Sequence, residues 1–489
     1  MRLKIVPGYL LSLGSLILLL GLSSAKAFGQ TNSWSTAYRL SSASSEAGQA
    51  SMVPDQFGLL HTFWVESGFL DKRAVIQYAP FDGESWKVPL DIYVTKPTGS
   101  LASLAPVVDQ QGSLYLAWTE GIQGPVFYSH APANDAYSAQ KWSTPVSIDI
   151  PAFQVRLQID SKGLFQLIYT DFYGDQPGVY YLRSEDQGES WSEPTWLDPD
   201  IPSGHAPSWL NFSLDEEDNL HVVWSYYSSN DGGIDAVRYI NSLDGGKNWS
   251  RPFYIDRADQ TEDELRLANP GLIVQGHNIH VIWAGDADTH REHRYSADAG
   301  RTWSETSRIF GDLHGEAIGD GLAVDGKGRI HFIGQIRDPA GIYHAYWDRD
   351  HWEGPFMIYR VEGSLGAVHA HNTRLAIRAG NQMVVTFTDS PTDPEMRLFT
   401  MYGFLSDTSP LPALPTPIYT LTPSAGEPFS RNQTSTTVAP APTAVVAQND
   451  LLPKEIEDAR SPAAGVWSAV MPVLLMIAGS IAWLLVRKR

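Results

Sequence analysis

One pattern of polar and apolar positions recurs along residues 31–406. A polar turn rich in Asp, Gly or Asn leads into a run of alternating apolar residues, close to D-x-x-G-x-L-H-V-x-W. Copies begin at Asp55, Asp109, Asp160, Asp215, Gln275, Asp325 and Arg378, at intervals of 50 to 60 residues. A turn followed by period-two alternation predicts a hairpin entering a strand. A unit of about 50 residues repeated in series is the period of a propeller blade. The strand preceding each turn is then the innermost of its blade. A second phrase, apolar-x-Tyr, predicts the third strand of each unit, as at Ile76-Gln77-Tyr78 and Val237-Arg238-Tyr239.

A third phrase places Trp close before Pro, at Trp86, Trp142, Trp191, Trp249 and Trp352, with Trp303 lacking the Pro. The last unit, ending at Met396–Phe404, has no such Trp, whereas Trp34 stands upstream of the first unit. The N-terminal strand is therefore expected to complete the last blade and close the ring, removing exposed sheet edges. The predicted fold is an all-β propeller of seven four-stranded blades. The alternative has six blades, with the last unit as an accessory hairpin.

Composition agrees with this. Aromatic residues make up 11% of the 489, with 16 Trp, and charged residues only 18%, which suits strands. Cysteine is absent, so an exported fold would depend on its core and its closure rather than on disulfides. Both ends carry membrane signals. Arg2 and Lys4 precede the apolar run Tyr9–Leu22, and Ala25-Lys26-Ala27 offers a cleavage site, which predicts a signal peptide over 1–27. Residues 407–464 are rich in Pro, Thr and Ser and predict an extended stalk. The uncharged stretch 465–486 is long enough to span a bilayer, and the basic tail 487–489 belongs on its cytoplasmic side. The expectation is an exported, single-pass type I membrane protein with the propeller outside. Setting aside the three basic residues at each end takes the net charge from −20 to −26. That excludes nucleic acid as a ready partner, because phosphate contacts need basic patches.

Three copies of an eight-residue cassette follow the third-strand phrase: Ser184–Trp191, Ser242–Trp249 and Ser296–Trp303. Their spacing, S-x-D-x-G-x-x-W, resembles the Asp-box (BNR repeat) of sialidases and related β-propellers. The resemblance implies a folding role for Asp186, Gly188, Trp191, Asp244, Gly246, Trp249, Asp298, Gly300 and Trp303, in the turn between third and fourth strands and away from the substrate face. For an active sialidase it also implies three arginines gripping a carboxylate, a Tyr–Glu nucleophilic pair and an Asp acid/base. The usual F/Y-R-I-P phrase is missing, and the repeat register accounts for its nearest match, Tyr38-Arg39-Leu40-Ser41. Sialidase propellers have six blades, a further departure.

Candidate chemistry is sought at the other end of the blades. Arg156, Arg266 and Arg374 fall in or near inner strands, where converging guanidiniums suit a carboxylate. An alternation outward would remove them. An acid follows the second strand of several units: Glu66, Glu120, Asp171, Asp286, Asp338 and Asp389. With Tyr226, Tyr227, His314, Glu316, His369 and His371 they are candidates for a polar, aromatic-rimmed mouth. Paired carboxylates there can serve as acid and base, or simply satisfy loop amides. The set is compatible with a calcium ion without indicating one, and no cofactor or metal site is implied. Three functions are consistent with this: a surface-displayed propeller recognising glycans or other extracellular ligands, a sialidase-type exo-glycosidase with a non-standard arginine set, and a non-catalytic envelope scaffold.

Overall fold

The computed structural model describes residues 31–68, 73–228, 233–257, 269–285, 290–313, 315, 320–361, 371–390 and 396–415. Seven antiparallel sheets stand around an axis. Blade 1 covers residues 45–94, blade 2 101–152, blade 3 154–196, blade 4 205–257, blade 5 271–308 and blade 6 321–360. Blade 7 combines 371–405 with the N-terminal strands Thr31–Trp34 and Tyr38–Arg39, both paired to Arg397–Leu405. The ring has seven blades, not six, and the N-terminal strand closes it. Innermost strands touch from blade to blade around the circle, from Ser51–Pro54 of blade 1 to His371–Arg378 of blade 7 and back.

Second strands lie in the middle of each blade and are buried on both faces; all eight residues of Gln382–Asp389 are buried. Polar side chains there need partners inside the protein. The turn Asp supplies one. Asp55 Oδ1 accepts from the amides of Phe57 (3.0 Å) and Leu59 (2.7 Å), and its Oδ2 faces His61 Nε2 at 3.2 Å. His61 Nδ1 in turn meets the hydroxyl of Tyr78, on the third strand, at 2.8 Å. Blade 4 repeats this with Asp215, His221 and Tyr239, and blade 3 with Asp160, Gln166 and Tyr181. In blade 6 a second imidazole replaces the phenol, and His331 Nδ1 lies 2.9 Å from His344 Nε2. Blade 5 has the same imidazole pair, His280 and His293, also at 2.9 Å.

The third-strand Tyr also serves the next blade. The Tyr128 hydroxyl donates to the carbonyl of Gly188 at 2.8 Å. Tyr181 and Tyr239 abut Gly246 and Gly300, where a Cβ would collide with their hydroxyls. Tyr181 also packs on Trp249, and Tyr239 on Trp303, with ring centroids about 5 Å apart. The cassette glycine is therefore fixed twice, by a left-handed backbone (φ 83° at Gly246) and by the neighbouring blade's phenol.

Both ends of the described chain lie at the end of the ring that carries the cassettes. Thr31 pairs with Leu405. Beyond it, residues 406–415 run across the inner turns, held by Arg329 on Asp407 (2.7 and 2.8 Å), Leu411 on Ala379 and Leu414 on Gln56. Among the described residues no helix is long and apolar enough to cross a membrane. The expected signal peptide, most of the stalk, the 465–486 span and the basic tail lie outside them.

Two outcomes are expected. Gly163 has φ 81° with nothing within 4 Å of a Cβ, so Gly163→Ala should cost about 1 kcal/mol of backbone strain. Gly246→Ala should cost at least about 1 kcal/mol more, since it also displaces Tyr181; equal urea midpoints would remove the phenol from the account. The second concerns acid. Burial holds His280 down to about 4 and His293 and His344 well below the ordinary 6.5. The unfolded chain binds these protons near pH 6.5 and the folded blades resist them, so stability is full above 6.5 and falls as pH drops toward 4. A melting temperature that stays flat across that window would contradict it.

Candidate functional site

Antiparallel order fixes the two ends of the ring. Inner strands run toward the cassette end, so their first residues, the loops between second and third strands and the links between blades share the opposite end, here called the mouth. The second strands of five blades end there, which brings Glu66, Glu120, Asp171, Asp338 and Asp389 to the same side. Arg266, Asp286, His314, Glu316 and His369 lie outside the described residues; of His371, only its backbone position opening the inner strand of blade 7 is described.

Most of these acids are already engaged. Glu66 is 5% exposed and accepts from the Ser42 amide (3.1 Å), Trp64 Nε1 (2.8 Å) and the Ser45 hydroxyl. It lies in an open polar cleft of about 520 Å³ against blade 1, which also includes Arg73 and Asp91. Glu120 accepts from Tyr93 at 2.7 Å, and burial, with that carboxylate adding to it, pushes the phenol up to about 12. Asp389 is buried and accepts from the Ser390 amide at 2.7 Å. Tyr226 is not at the mouth surface at all. It is 1% exposed, between blades 3 and 4, and donates to Asp198, which Arg238 also contacts at 3.3 Å. The phenol stays protonated because burial and the Asp198 charge both raise it. Tyr226 is therefore packed between blades, whereas its neighbour Tyr227 is half-buried and meets Phe172.

Two of the three arginines do reach the axis. Arg156, the third residue of the inner strand Gln154–Ile159, donates through Nη1 to Ser103 Oγ (3.2 Å) and to the Val155 carbonyl (2.9 Å). Neither partner is an acid. Burial, with the Arg374 charge adding to it, brings its pKa down to about 10, still cationic at neutral pH. Arg374 bonds the carbonyls of Asp320 (3.2 Å) and Thr373 (2.9 Å) and Gln49 Oε1 (2.6 Å). The Asp320 carboxylate is held instead by Arg291, through Nε at 2.5 Å and Nη2 at 3.1 Å. Burial pushes Asp320 upward and the two guanidiniums oppose it. Among the described residues this cluster brings together three guanidiniums and one carboxylate, inside a chain of net charge −20.

Three irregular backbone positions lie at this end of the inner strands. Ser103, Trp209 and Asn372 are non-glycine residues with φ of 53°, 49° and 51°. Each sits at a register shift near the start of an inner strand, in blades 2, 4 and 7. Bulges re-aim side chains, and the ones here are held by cross-blade bonds: Ser103 Oγ accepts from the Val155 amide at 2.8 Å, and Gln154 Oε1 from the Leu210 amide at 2.9 Å. Ser103, Trp209, Gln154, Arg291 and Asp320 carried no sequence signal, since a bulge changes which face each later residue occupies. Arg291 and Asp320 had the weakest chance of detection, lying outside any recurring phrase.

The cassette residues sit at the far end. Asp186 accepts from Ser184 Oγ (2.7 Å) and from the amide and hydroxyl of Ser190 (2.8 and 2.5 Å), and these bonds lower it to about 2. Asp244 and Asp298 repeat the arrangement, in turns joining third to fourth strands. Among the described residues one acidic and imidazole trio, Asp215, Glu217 and His277, also lies at this end; Asp215 is buried and engaged by Asn219, while Glu217 and His277 are exposed.

No protein-family model matches the chain, and no curated protein matches it in sequence. Among solved structures it is similar to the polysaccharide lyase Uly1, at 10% identity and TM-score 0.50 over 71% of this chain and 88% of that one. It is also similar to a PL25 ulvan lyase bound to -[GlcA(1-4)Rha3S]- (12%, TM-score 0.49, 73% and 94%) and to a Hadza microbial sialidase (13%, TM-score 0.42, 72% and 78%). At 10% identity the likeness to Uly1 establishes a shared fold and nothing finer.

Because Tyr226 braces a buried pair, Tyr226→Phe should destabilise the fold by about 1–3 kcal/mol, by leaving Asp198 short of a donor. Ligand affinity at the mouth should be unchanged; a variant of native stability that loses ligand would return Tyr226 to the site.

Proposed function

We propose that the protein recognises carbohydrate at the mouth of the propeller, and that the saccharide bears a carboxylate or sulfate. The observation that carries this is Arg156: a cationic guanidinium on an inner strand whose described partners are a hydroxyl and a carbonyl. Arg156 is half-buried, and a partly desolvated charge is stabilised when an opposite charge meets it. An anionic ligand supplies that charge, with Arg374 beside it. A planar guanidinium fork matches carboxylate and sulfate geometry. A polysaccharide lyase shares the fold, and the Asp-box resemblance of the cassettes points to the same ligand class. Recognition without hydrolysis is favoured because Glu66, Asp171 and Asp389 accept from loop amides, Glu120 from Tyr93, and Asp320 from Arg291. In this reading the C-terminal span presents the propeller outside the cell on its stalk.

The test is binding of polygalacturonate tetrasaccharide, hyaluronan tetrasaccharide and sialyllactose to the full chain in detergent, with cellotetraose as the uncharged control. At least one acidic probe should bind saturably and more tightly than cellotetraose, and Arg156→Met should weaken it about 10- to 100-fold. Equal binding of cellotetraose, or indifference to Arg156→Met, would contradict the reading. Release of sialic acid or of reducing ends would move the protein to the hydrolases.

A further inference from the structure

The structure points to a second contact for the same ligand, and we infer that Phe153, Phe172, Tyr173 and Tyr227 form a platform on which the sugar ring next to the anionic unit stacks. This rests on the acidic-saccharide reading above and adds the residues that make it an oligosaccharide site. The four rings come from three places at the mouth: the residue opening the inner strand of blade 3, the loop after its second strand, and the end of the second strand of blade 4. Phe172 lies 5.0 Å from Phe153, 4.6 Å from Tyr173 and 5.6 Å from Tyr227 between ring centroids. Tyr173 crosses Phe153 edge-on at 6.0 Å. Tyr173 remains 54% exposed, although burying it would have been favourable for an apolar body.

The loop that carries Phe172 and Tyr173 is pinned. Asp171 Oδ1 accepts from the Gly174 amide and from Gln123 Nε2, both at 2.7 Å, while Gln123 Oε1 accepts from the Phe172 amide at 3.3 Å. Gly174 leaves no room for a Cβ against the Asp171 carboxylate. The arrangement is preorganised, so little ordering entropy is lost when a ligand settles on it. Asp171, read from sequence as a mouth acid, is thus a positioning residue for the platform.

Distance selects the occupant. Phe153 precedes Arg156 by three residues of extended chain, a span of at most about 10 Å. An anionic group on Arg156 therefore leaves the adjoining ring of the same saccharide within reach of the platform. The C–H face of a pyranose carries partial positive charge and suits the negative face of an aromatic ring, while the two phenol hydroxyls serve its hydroxyl groups.

The experiment compares each acidic oligosaccharide with its free acid (galacturonate, glucuronate or N-acetylneuraminate), using saturation-transfer NMR on the full chain. Tyr173→Ala, at an exposed position, should weaken the oligosaccharide about tenfold and leave the free acid within about twofold, whereas Arg156→Met weakens both. Equal loss of both ligands with Tyr173→Ala, or loss of neither, overturns the platform while leaving the Arg156 site standing. If no acid of either size binds the wild-type chain, the acidic-saccharide reading fails and the platform falls with it.

Discussion

Burial of every second strand on both faces is the constraint from which the rest of the structure follows. A strand sandwiched between blades can keep a polar residue only if its neighbours satisfy it, and the turn Asp, the strand His or Gln and the third-strand Tyr do so in series. That Tyr then reaches the next blade's cassette, where only glycine leaves it room. Blades 2, 3 and 4 are thus each completed by the one after it. Thr31–Trp34 closes the ring by joining the last blade as its outer strand.

The two ends of the ring answer different demands. At the cassette end, turn carboxylates are saturated with local donors, and the chain's exit segment is tied down across the inner turns. At the mouth, bulges hold Ser103, Trp209 and Asn372 in left-handed backbone, Arg156 lacks an acid among the described residues, and Tyr173 stands in solvent. Backbone strain and uncompensated charge persist only where the surroundings enforce them, and they gather at sites of function. Left-handed residues occur at the cassette end too, at Gln187, Asp218, Ala299, Arg349 and Ala379, so it is the unmatched charge of Arg156 and the exposed Tyr173 that place recognition at the mouth.

The architecture was legible in the sequence because a repeated unit multiplies every weak signal. Seven turn phrases and a Trp displaced to position 34 defined the blade count and its closure. The site was less legible because it depends on single residues that break the repeat. Period-two alternation left Arg156 and Arg374 undecided, and it is the bulge between His371 and Arg374 that sets the latter's register. The same alternation separates adjacent tyrosines: Tyr226 turns inward to Asp198 and Tyr227 outward to Phe172. The platform was missed because Phe153, Phe172 and Tyr173 lie in links that share no phrase with other blades. Their convergence is a property of the ring rather than of any one segment.

Hydrogen exchange on the full chain, with and without a bound acidic oligosaccharide, tests the central claim most directly. The account predicts added protection over residues 153–156, 171–174 and 372–374, with the cassette turns 184–191, 242–249 and 296–303 unchanged. Protection at the cassettes, with none at the mouth, would contradict it.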